Sequence, residues 1–310
     1  MRVWVIRRRA LVWMLAGLLT LALVTLAAFS PAVRGALMRI RATIPDACGL
    51  PGLPDPAAFS SPAALPWSPA PPELARLQAE HNATILVGAY QIRMREALFE
   101  ERVNVQRGAE LLRGTVLHPG ERFSFNQRVG PFTYERGFRD GPEYRGGQVV
   151  AAPGGGICKV SSALFNAAVL AGLTVEERHP HTMLVAYVPP GQDAALAYPH
   201  KDLRLRNNHD GPVVIWAEYQ ESTLTVALYG SYEPPLVEWG HEVLERLPHS
   251  RIRIPRPELP RGKEQVVIPG LDGVRIRSWL TATYPDGRRQ ERDLGVTLYL
   301  PRPEVVEYGP

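Results

Sequence analysis

The sequence predicts an α+β fold: an antiparallel sheet with a few helices, preceded by one transmembrane helix and a Pro-rich linker and followed by a small all-β module. Three observations lead to this prediction. Residues 10–29 carry no charge. Residues 73–232 combine short β-branched and aromatic runs with two helical patterns, and residues 237–310 contain strand patterns and turn signals. The middle region is therefore expected to be the main domain.

The amino-terminal segment, residues 1–30, has the pattern of a transmembrane signal anchor. Twenty uncharged residues rising about 1.5 Å each would cross the roughly 30 Å hydrocarbon core of a bilayer. A cleavable signal peptide is the alternative, because small residues at Ala27 and Ala28 offer a cleavage site. We expect residues 10–29 to contact the membrane and the large C-terminal region to be extracytoplasmic.

Residues 31–72 are predicted to be a Pro-rich linker, since their prolines exclude a helix or a central strand. Cys48 lies in this linker, and a disulfide with Cys158 remains an open alternative in an oxidising compartment. The formal net charge is +4, and no nucleic-acid-binding motif is present. A mild positive charge suits an anionic cell envelope, and no nucleic acid is expected as a partner.

In the main domain, predicted at residues 73–232, the elements before the first candidate site residue alternate between strand and helix patterns. They are a strand at 83–94, a helix at 101–113, a short strand at 122–125, a long loop at 130–147 and a strand at 148–152. The glycines and prolines of the loop predict irregular structure. Since long loops in compact domains are often functional, it is expected to overhang the site or to pack on the core.

A helix at 161–171 comes next, and every later element of this domain has a strand pattern. The predicted strands are 175–178, 183–188, 203–206, 213–219 and 224–229, the last two as a hairpin. Residues 237–310 then form a predicted all-β module with a hairpin turn at Pro285-Asp286-Gly287. The change of composition near residue 237 predicts that this module is separable.

Cys158 follows the glycine run 154–156 and precedes the predicted helix, which is how proteins present a nucleophile. Glycines permit close approach of a substrate, so Gly155 and Gly156 are candidate binding residues. The N–H groups and positive end of the helix favour a thiolate and could form an oxyanion hole. Two alternatives remain: a buried small residue behind a turn, or a turn that only holds a carboxylate.

A cysteine nucleophile needs a base and a group that orients it. His179 and His181 are candidate bases, because a histidine pKa lies near neutral pH. Lys159 and Arg178 could bind a substrate carboxylate, and His179 is also a candidate substrate-binding residue. Candidate orienting groups are Asp193, Asp202 and Asn207.

Several ordered motifs together resemble the VanW domain. They are Phe123-Ser124-Phe125-Asn126, the run GGGICKVSSALFNAAVLAGL from Gly154, Glu177-Arg178-His179-Pro180-His181, Pro190-Gly191-Gln192-Asp193-Ala194 and Asp202 to Asn208. Residues 262–273 and 305–309 resemble the cell-wall module named for its five glycines. The VanW resemblance implies a bacterial cell-surface protein, for some members an L,D-transpeptidase activity on peptidoglycan with Cys158 as nucleophile, and it favours His181 as the base.

Three function classes follow. The first is a membrane-anchored L,D-transpeptidase-like acyltransferase acting on peptidoglycan stem peptides. The second is a non-catalytic peptidoglycan-binding protein involved in glycopeptide resistance or envelope maintenance. The third is a metal hydrolase with Cys158, His179 and His181 as ligands, which lacks a fourth ligand at recognisable spacing. The first is preferred, with neither a cofactor nor a metal.

Overall fold

The computed structural model describes residues 59–60, 65–94, 97–145 and 148–310. The predicted transmembrane helix, Cys48 and most of the predicted Pro-rich linker lie outside these residues. Within the described ranges, no helix combines the length and the apolar character needed to cross a bilayer.

The helices of the described residues all lie before the C-terminal module. They are α1 Pro72–Glu80, α2 Phe99–Leu112, α3 Phe125–Arg128 and α4 Cys158–Leu170, with a 3₁₀ turn at Tyr134–Arg136. The predicted helices at 101–113 and 161–171 are confirmed as α2 and α4, although α4 begins three residues earlier than expected and so includes Cys158 itself.

Strands before the module are β1 Phe59–Ser60, β2 Ile85–Arg93, β3 Thr115–Leu117, β4 Arg122–Ser124, β5 Asp140–Arg145, β6 Gln148–Pro153, β7 Thr174–Glu177, β8 Arg204–Arg206, β9 Val213–Gln220 and β10 Thr223–Gly230. The main sheet is antiparallel, in the order β1-β2-β10-β9-β3. A second antiparallel sheet, β4-β8-β7, and the β5-β6 hairpin lie beside it. The predicted α+β class with antiparallel sheets is confirmed.

Helix α4 is the central element of the core, and residues 160–170 are all buried. A helix that is apolar on most of its surface is expected to be enclosed on all sides. Gly88 on β2 lets it approach the sheet closely, because a Cβ at that position would lie 2.3 Å from the carbonyl oxygen of Ala167. This packing fixes the start of α4 and therefore the position of Cys158.

Two sequence predictions are corrected. The predicted loop 130–147 contains strand β5, which pairs with β6. Pro142 favoured a loop in the sequence prediction. Proline is nevertheless tolerated in β5, because this strand pairs on one side, with β6. The predicted strand at 183–188 is wrong, because these residues are irregular. Prolines flank the segment, and its apolar Met183 and Val188 are buried in the core instead of alternating along a strand.

The C-terminal module is all-β, as predicted. Its strands are β11 Leu236–Leu247, β12 Arg251–Pro255, β13 Glu264–Ile268, β14 Gly273–Thr283, β15 Arg289–Tyr299 and β16 Glu304–Tyr308. One sheet, β11-β14-β15, is antiparallel. In the other, β12-β16-β13, the pair β12 and β16 is parallel. The hairpin of β14 and β15 turns at residues 285–287, as the sequence predicts.

The module packs directly on the main domain. Val237, Trp239 and Leu280 belong to the same buried apolar cluster as Phe165 of α4. The rings of Phe165 and Trp239 meet edge to face with centroids 6.0 Å apart. The sequence predicts a separable module, whereas the structure has a core that is continuous between the two parts.

Candidate active site

Cys158 is the first residue of α4, and its thiol is partly buried. The preceding turn needs glycine, since Gly154 has φ +83° and Gly156 φ +96°. The backbone N–H of Leu196 donates to Sγ at 3.4 Å. The thiol is therefore held at a helix start and receives a hydrogen bond from a distant loop.

The glycine run packs against the protein's own chain. A Cβ on Gly155 would lie 2.1 Å from the carbonyl carbon of Gly141, and one on Gly156 would lie 2.5 Å from Cγ of Glu101. The space that a side chain would fill at Gly155 is therefore occupied by β5, and the space at Gly156 is occupied by Glu101 of α2. The substrate-binding roles of Gly155 and Gly156 remain predictions, and the structure gives both glycines a packing reason.

The first N–H groups of α4 are already partly used. Lys159 and Val160 donate their backbone N–H groups to the carbonyls of Gly156 and Ile157, at 3.0 and 2.8 Å. An oxyanion hole built from these two amides would have to compete with those bonds. The N–H of Leu196 is the backbone donor that already points at the sulfur.

His181 and Asp193 meet beside the thiol. Nδ1 of His181 lies 2.6 Å from Oδ2 of Asp193. The other ring nitrogen, Nε2, lies 3.3 Å from the hydroxyl of Tyr187. The imidazole is close enough to Cys158 to lower the pKa of the thiol. The structure thus brings together the predicted nucleophile, the preferred base and one of the three predicted orienting groups.

Asp193 is buried and has several donors. Its side chain is 1% exposed and forms an ion pair with Arg178 at 2.7 Å. The hydroxyl of Tyr299 also donates to Oδ1, at 2.6 Å. Arg178 further donates to the carbonyls of Gly191 and Asp193. The guanidinium therefore holds the segment that carries Gly191 and Asp193. Its predicted role in binding a substrate carboxylate remains a prediction.

The pKa values favour an ion pair between cysteine and histidine. Burial raises the pKa of the Cys158 thiol, but the hydrogen bond and charge of His181, the N–H of Leu196 and the charge of Lys159 together lower it. For His181, burial opposes protonation, yet Asp193 and Cys158 raise the pKa to about 9. Burial opposes ionisation of Asp193, and the hydrogen bond and charge of His181 outweigh it, giving a pKa of about 2.

Lys159 is paired before any ligand binds. It forms a salt bridge with Glu101 of α2, and its Nζ lies 4.6 Å from the ring centroid of Tyr187. Lys159 therefore lies close to the thiol but with a neutralising partner. Its predicted contact with a substrate carboxylate would require that carboxylate to compete with Glu101.

The other predicted residues lie away from the triad. Nε2 of His179 is 3.0 Å from Glu177. Asp202 accepts from the hydroxyl of Ser124 and from the backbone N–H of Asn126. Asn207 is buried and donates to the carbonyls of Leu117 and Gly211. These contacts tie loops together, and the orienting roles predicted for Asp202 and Asn207 remain predictions.

The metal alternative receives no support from the described residues, among which no group of three or more His, Cys, Asp or Glu side chains could hold an ion. Residues that the sequence reasoning missed are Glu101, Tyr187, Leu196 and Tyr299. A signal existed for Glu101, since it is a charged residue on the buried stripe of the predicted helix.

Comparison with protein families assigns two parts of the chain. Residues 100–229 match the family model described as "VanW like protein", and residues 241–310 match "G5 domain". The solved "IgA1 Protease G5 domain structure" aligns with 26% of this chain and 98% of its own, at 18% identity and a TM-score of 0.17.

Two curated proteins are similar to the chain. "Uncharacterized protein YoaR" of Bacillus subtilis is 34% identical over 176 residues, which are 57% of this chain and 56% of that protein. "Vancomycin B-type resistance protein VanW" of Enterococcus faecalis is 27% identical over 136 residues, covering 42% of this chain and 50% of that protein. The chain spans about half the length of these relatives.

Proposed function

We propose that the chain is a cell-wall protein and that the part matching the VanW model, residues 100–229, is an L,D-transpeptidase-like cysteine acyltransferase. The match of residues 241–310 to the G5 domain model supports the location in the wall. The substrates in this proposal are the stem peptides of peptidoglycan. The similarity to the vancomycin resistance protein supports a role in the cell envelope. The G5 domain is proposed to hold the enzyme on the wall.

The observation that carries the proposal is the Cys158, His181 and Asp193 arrangement. A buried carboxylate 2.6 Å from Nδ1 fixes the ring. Nε2, which lies 3.3 Å from the Tyr187 hydroxyl, is the nitrogen proposed to exchange a proton with the thiol. The lowered pKa of the thiol and the raised pKa of the imidazole supply both a thiolate and a proton donor. A domain that only binds wall polymer has no need of this pair.

In the proposed reaction, the thiolate attacks the carbonyl of the L-configured residue that precedes the terminal D-alanine of a donor stem. The tetrahedral intermediate collapses, the peptide C–N bond breaks, and His181 gives its proton to the departing amine. An amine of an acceptor stem then attacks the thioester, loses a proton to His181 and releases the thiolate. The N–H of Leu196 is the proposed donor to the oxyanion, and in that step it would give up its hydrogen bond to Sγ.

The proposed location is the outer face of the cell membrane. Residues 10–29 would anchor the chain as a single pass, and the Pro-rich residues up to about 72 would hold the domain above the bilayer. Protease added to intact, wall-stripped cells should digest the large domain. Full protection of that domain would contradict this location.

The experiment that tests the reaction uses the chain from residue 65 and a disaccharide tetrapeptide. Chromatography with mass detection should show a cross-linked dimer, or a tripeptide if water replaces the amine, and Cys158→Ala should give neither. If the wild type and the alanine variant both leave the tetrapeptide unchanged while still binding it, the domain is a binding module.

A further inference from the structure

The C-terminal module reaches the candidate active site through Tyr299, the last residue of β15. This side chain is buried, 1% exposed. Its hydroxyl donates to Oδ1 of Asp193 at 2.6 Å and accepts from the backbone N–H of Gly191 at 2.7 Å. One oxygen atom of the module therefore holds both the carboxylate and the backbone two residues before it.

The same turn is held by a second set of contacts. Gly191 has φ +86°, and a Cβ there would lie 2.3 Å from Oγ of Ser278 on β14. The side-chain nitrogen Nε2 of Gln192 lies 3.2 Å from Nε2 of His241 on β11. The other ring nitrogen of His241, Nδ1, lies 3.0 Å from the Ser278 hydroxyl. Residues 191 and 192 are thus packed against β14 and β11, and residue 193 is held by β15.

The segment around His181 is attached to the module as well. The N–H of Leu300, directly after β15, donates to the carbonyl of Thr182 at 2.7 Å. Leu184 packs on the small apolar cluster that includes Tyr299. Two of the three pieces of chain that carry Cys158, His181 and Asp193, namely those with His181 and Asp193, are therefore held by the region around Tyr299.

The hydrogen bonds of Asp193 divide between its two oxygens. Oδ2 accepts a hydrogen bond from the backbone N–H of His181 and also faces Nδ1 of that residue. Oδ1 accepts hydrogen bonds from the Arg178 guanidinium and the Tyr299 hydroxyl. Because the carboxylate is planar, donors that fix Oδ1 also fix the direction of Oδ2. Removing the Tyr299 hydroxyl would leave a buried acceptor with one donor fewer and weaken the alignment with the imidazole.

We propose that Tyr299 is a positioning residue of the Cys158, His181 and Asp193 triad, so that the C-terminal module completes the active site in addition to binding the wall. The proposal rests on the proposed function for the reaction that the triad performs. The state of the thiol can nevertheless be measured without any peptidoglycan substrate.

The test compares two Tyr→Phe variants in the full chain carrying Cys48→Ser, so that Cys158 is the cysteine observed. Tyr299→Phe removes the hydroxyl that contacts Asp193. Tyr232→Phe is the control, because it removes the hydroxyl of a half-buried tyrosine that donates to the carbonyl of Ala171, away from Asp193. The rate of alkylation by iodoacetamide is followed against pH. The charged or ionisable groups around the thiol and imidazole, namely Lys159, Glu101, Tyr187, Arg178 and Asp193, are the same in all three proteins.

Tyr299→Phe is expected to move the alkylation midpoint to higher pH and to slow alkylation near neutral pH roughly tenfold, the usual cost of losing an outer partner of a reactive group. Tyr232→Phe should follow the parent protein. A second readout is the downfield proton resonance of Nδ1–H in His181, which should shift or broaden only in Tyr299→Phe. Unchanged alkylation and an unchanged resonance would overturn the proposal.

The result separates the two proposals. Failure of the parent protein to process a tetrapeptide, with a clear effect of Tyr299→Phe on the thiol, would reject the proposed function and keep the positioning role. Transpeptidation by the parent, with the same thiol alkylation and His181 resonance in Tyr299→Phe, would keep the proposed function and reject the positioning role of Tyr299. Should Tyr299→Phe not fold, 3-fluorotyrosine at this position keeps the ring and makes the hydroxyl a stronger donor, and an unchanged His181 resonance would then overturn the proposal.

Discussion

His181 contacts one carboxylate oxygen of Asp193 twice: its backbone N–H and its ring Nδ1 each lie 2.6 Å from Oδ2. The two contacts fix both the backbone and the ring of the histidine on a single buried atom. The exposed His249 makes the same double contact with Oδ1 of Asp272, at 3.0 and 2.6 Å, so the arrangement alone does not identify a base. What distinguishes the His181 pair is that Asp193 is buried and that the imidazole acts on the Cys158 thiol.

The first prediction concerns the nucleophile. Cys158→Ser replaces a thiol of lowered pKa with a far less acidic hydroxyl, so covalent chemistry should fall by orders of magnitude. Mass spectrometry should find the mass of an opened carbapenem on the wild type and none on the serine variant. Equal labelling of the two proteins would exclude Cys158 as the nucleophile.

The second prediction compares two buried aspartates. Asp193→Asn should lower acyl transfer roughly 10⁴-fold, because an amide in place of the carboxylate no longer stabilises the protonated imidazole. Asp202→Asn is the matched control: Asp202 is also buried and accepts several hydrogen bonds, but none from the triad. Rates of tetrapeptide turnover and melting temperatures should be measured for both. A similar loss of turnover in both variants would assign Asp193 a structural role.

The third prediction is the pH dependence. Above its lowered pKa Cys158 is a thiolate, and below about 9 His181 is protonated, so the competent pair exists between these two limits. Acylation should therefore fall in acid as the thiolate takes up a proton, and fall in alkali near pH 9 as the imidazolium loses one. A rate that rises continuously through pH 9 would show that no protonated base is required.

The local parts of the site could be predicted from the sequence. Three glycines before a cysteine and a helix pattern are contiguous, and they placed Cys158 at the start of α4. The strands of the hairpin β9 and β10 were predicted for the same reason, since their alternation and turn are local signals. The preference for His181 over His179 rests on a family resemblance, and Asp193 is one of three candidate orienting groups. Sequence alone does not pair them, because twelve residues separate His181 from Asp193 and no spacing rule joins them.

The contacts that complete the site could not be predicted. Tyr299 is 106 residues from Asp193 along the chain and has the pattern of an ordinary core residue in a strand. Leu196 contributes a backbone N–H, which has no signature in the side-chain sequence. Strand β5 was missed because glycine and proline normally indicate loops, yet Gly141 is needed there for close packing against Gly155.

The fourth prediction concerns Lys159. Its ammonium is one of the charges that lower the pKa of the Cys158 thiol. Lys159→Met keeps a side chain of similar length over the Tyr187 ring but removes the charge, so the midpoint of alkylation should move to higher pH. Lys201→Met is the control, because Lys201 is a half-buried lysine of the same domain and is not among the charges that lower the pKa of the thiol. An unchanged midpoint in Lys159→Met would mean that Glu101 neutralises the ammonium completely.

The last prediction separates packing from backbone conformation in the glycine turn. Gly155→Ala would place a Cβ 2.1 Å from the backbone of Gly141, and that backbone cannot move without displacing β5. The free energy of unfolding should fall by about 1–3 kcal/mol or more, as expected for overpacking against main chain. Gly120→Ala is the control, because Gly120 has φ +76° and an added Cβ there would meet no atom within 4 Å. Its loss of stability therefore reports the cost of the backbone conformation alone, about 1 kcal/mol. Urea unfolding of both variants gives the comparison. A loss at Gly155 no larger than at Gly120 would mean that β5 moves freely, and a substrate could then approach the glycine run.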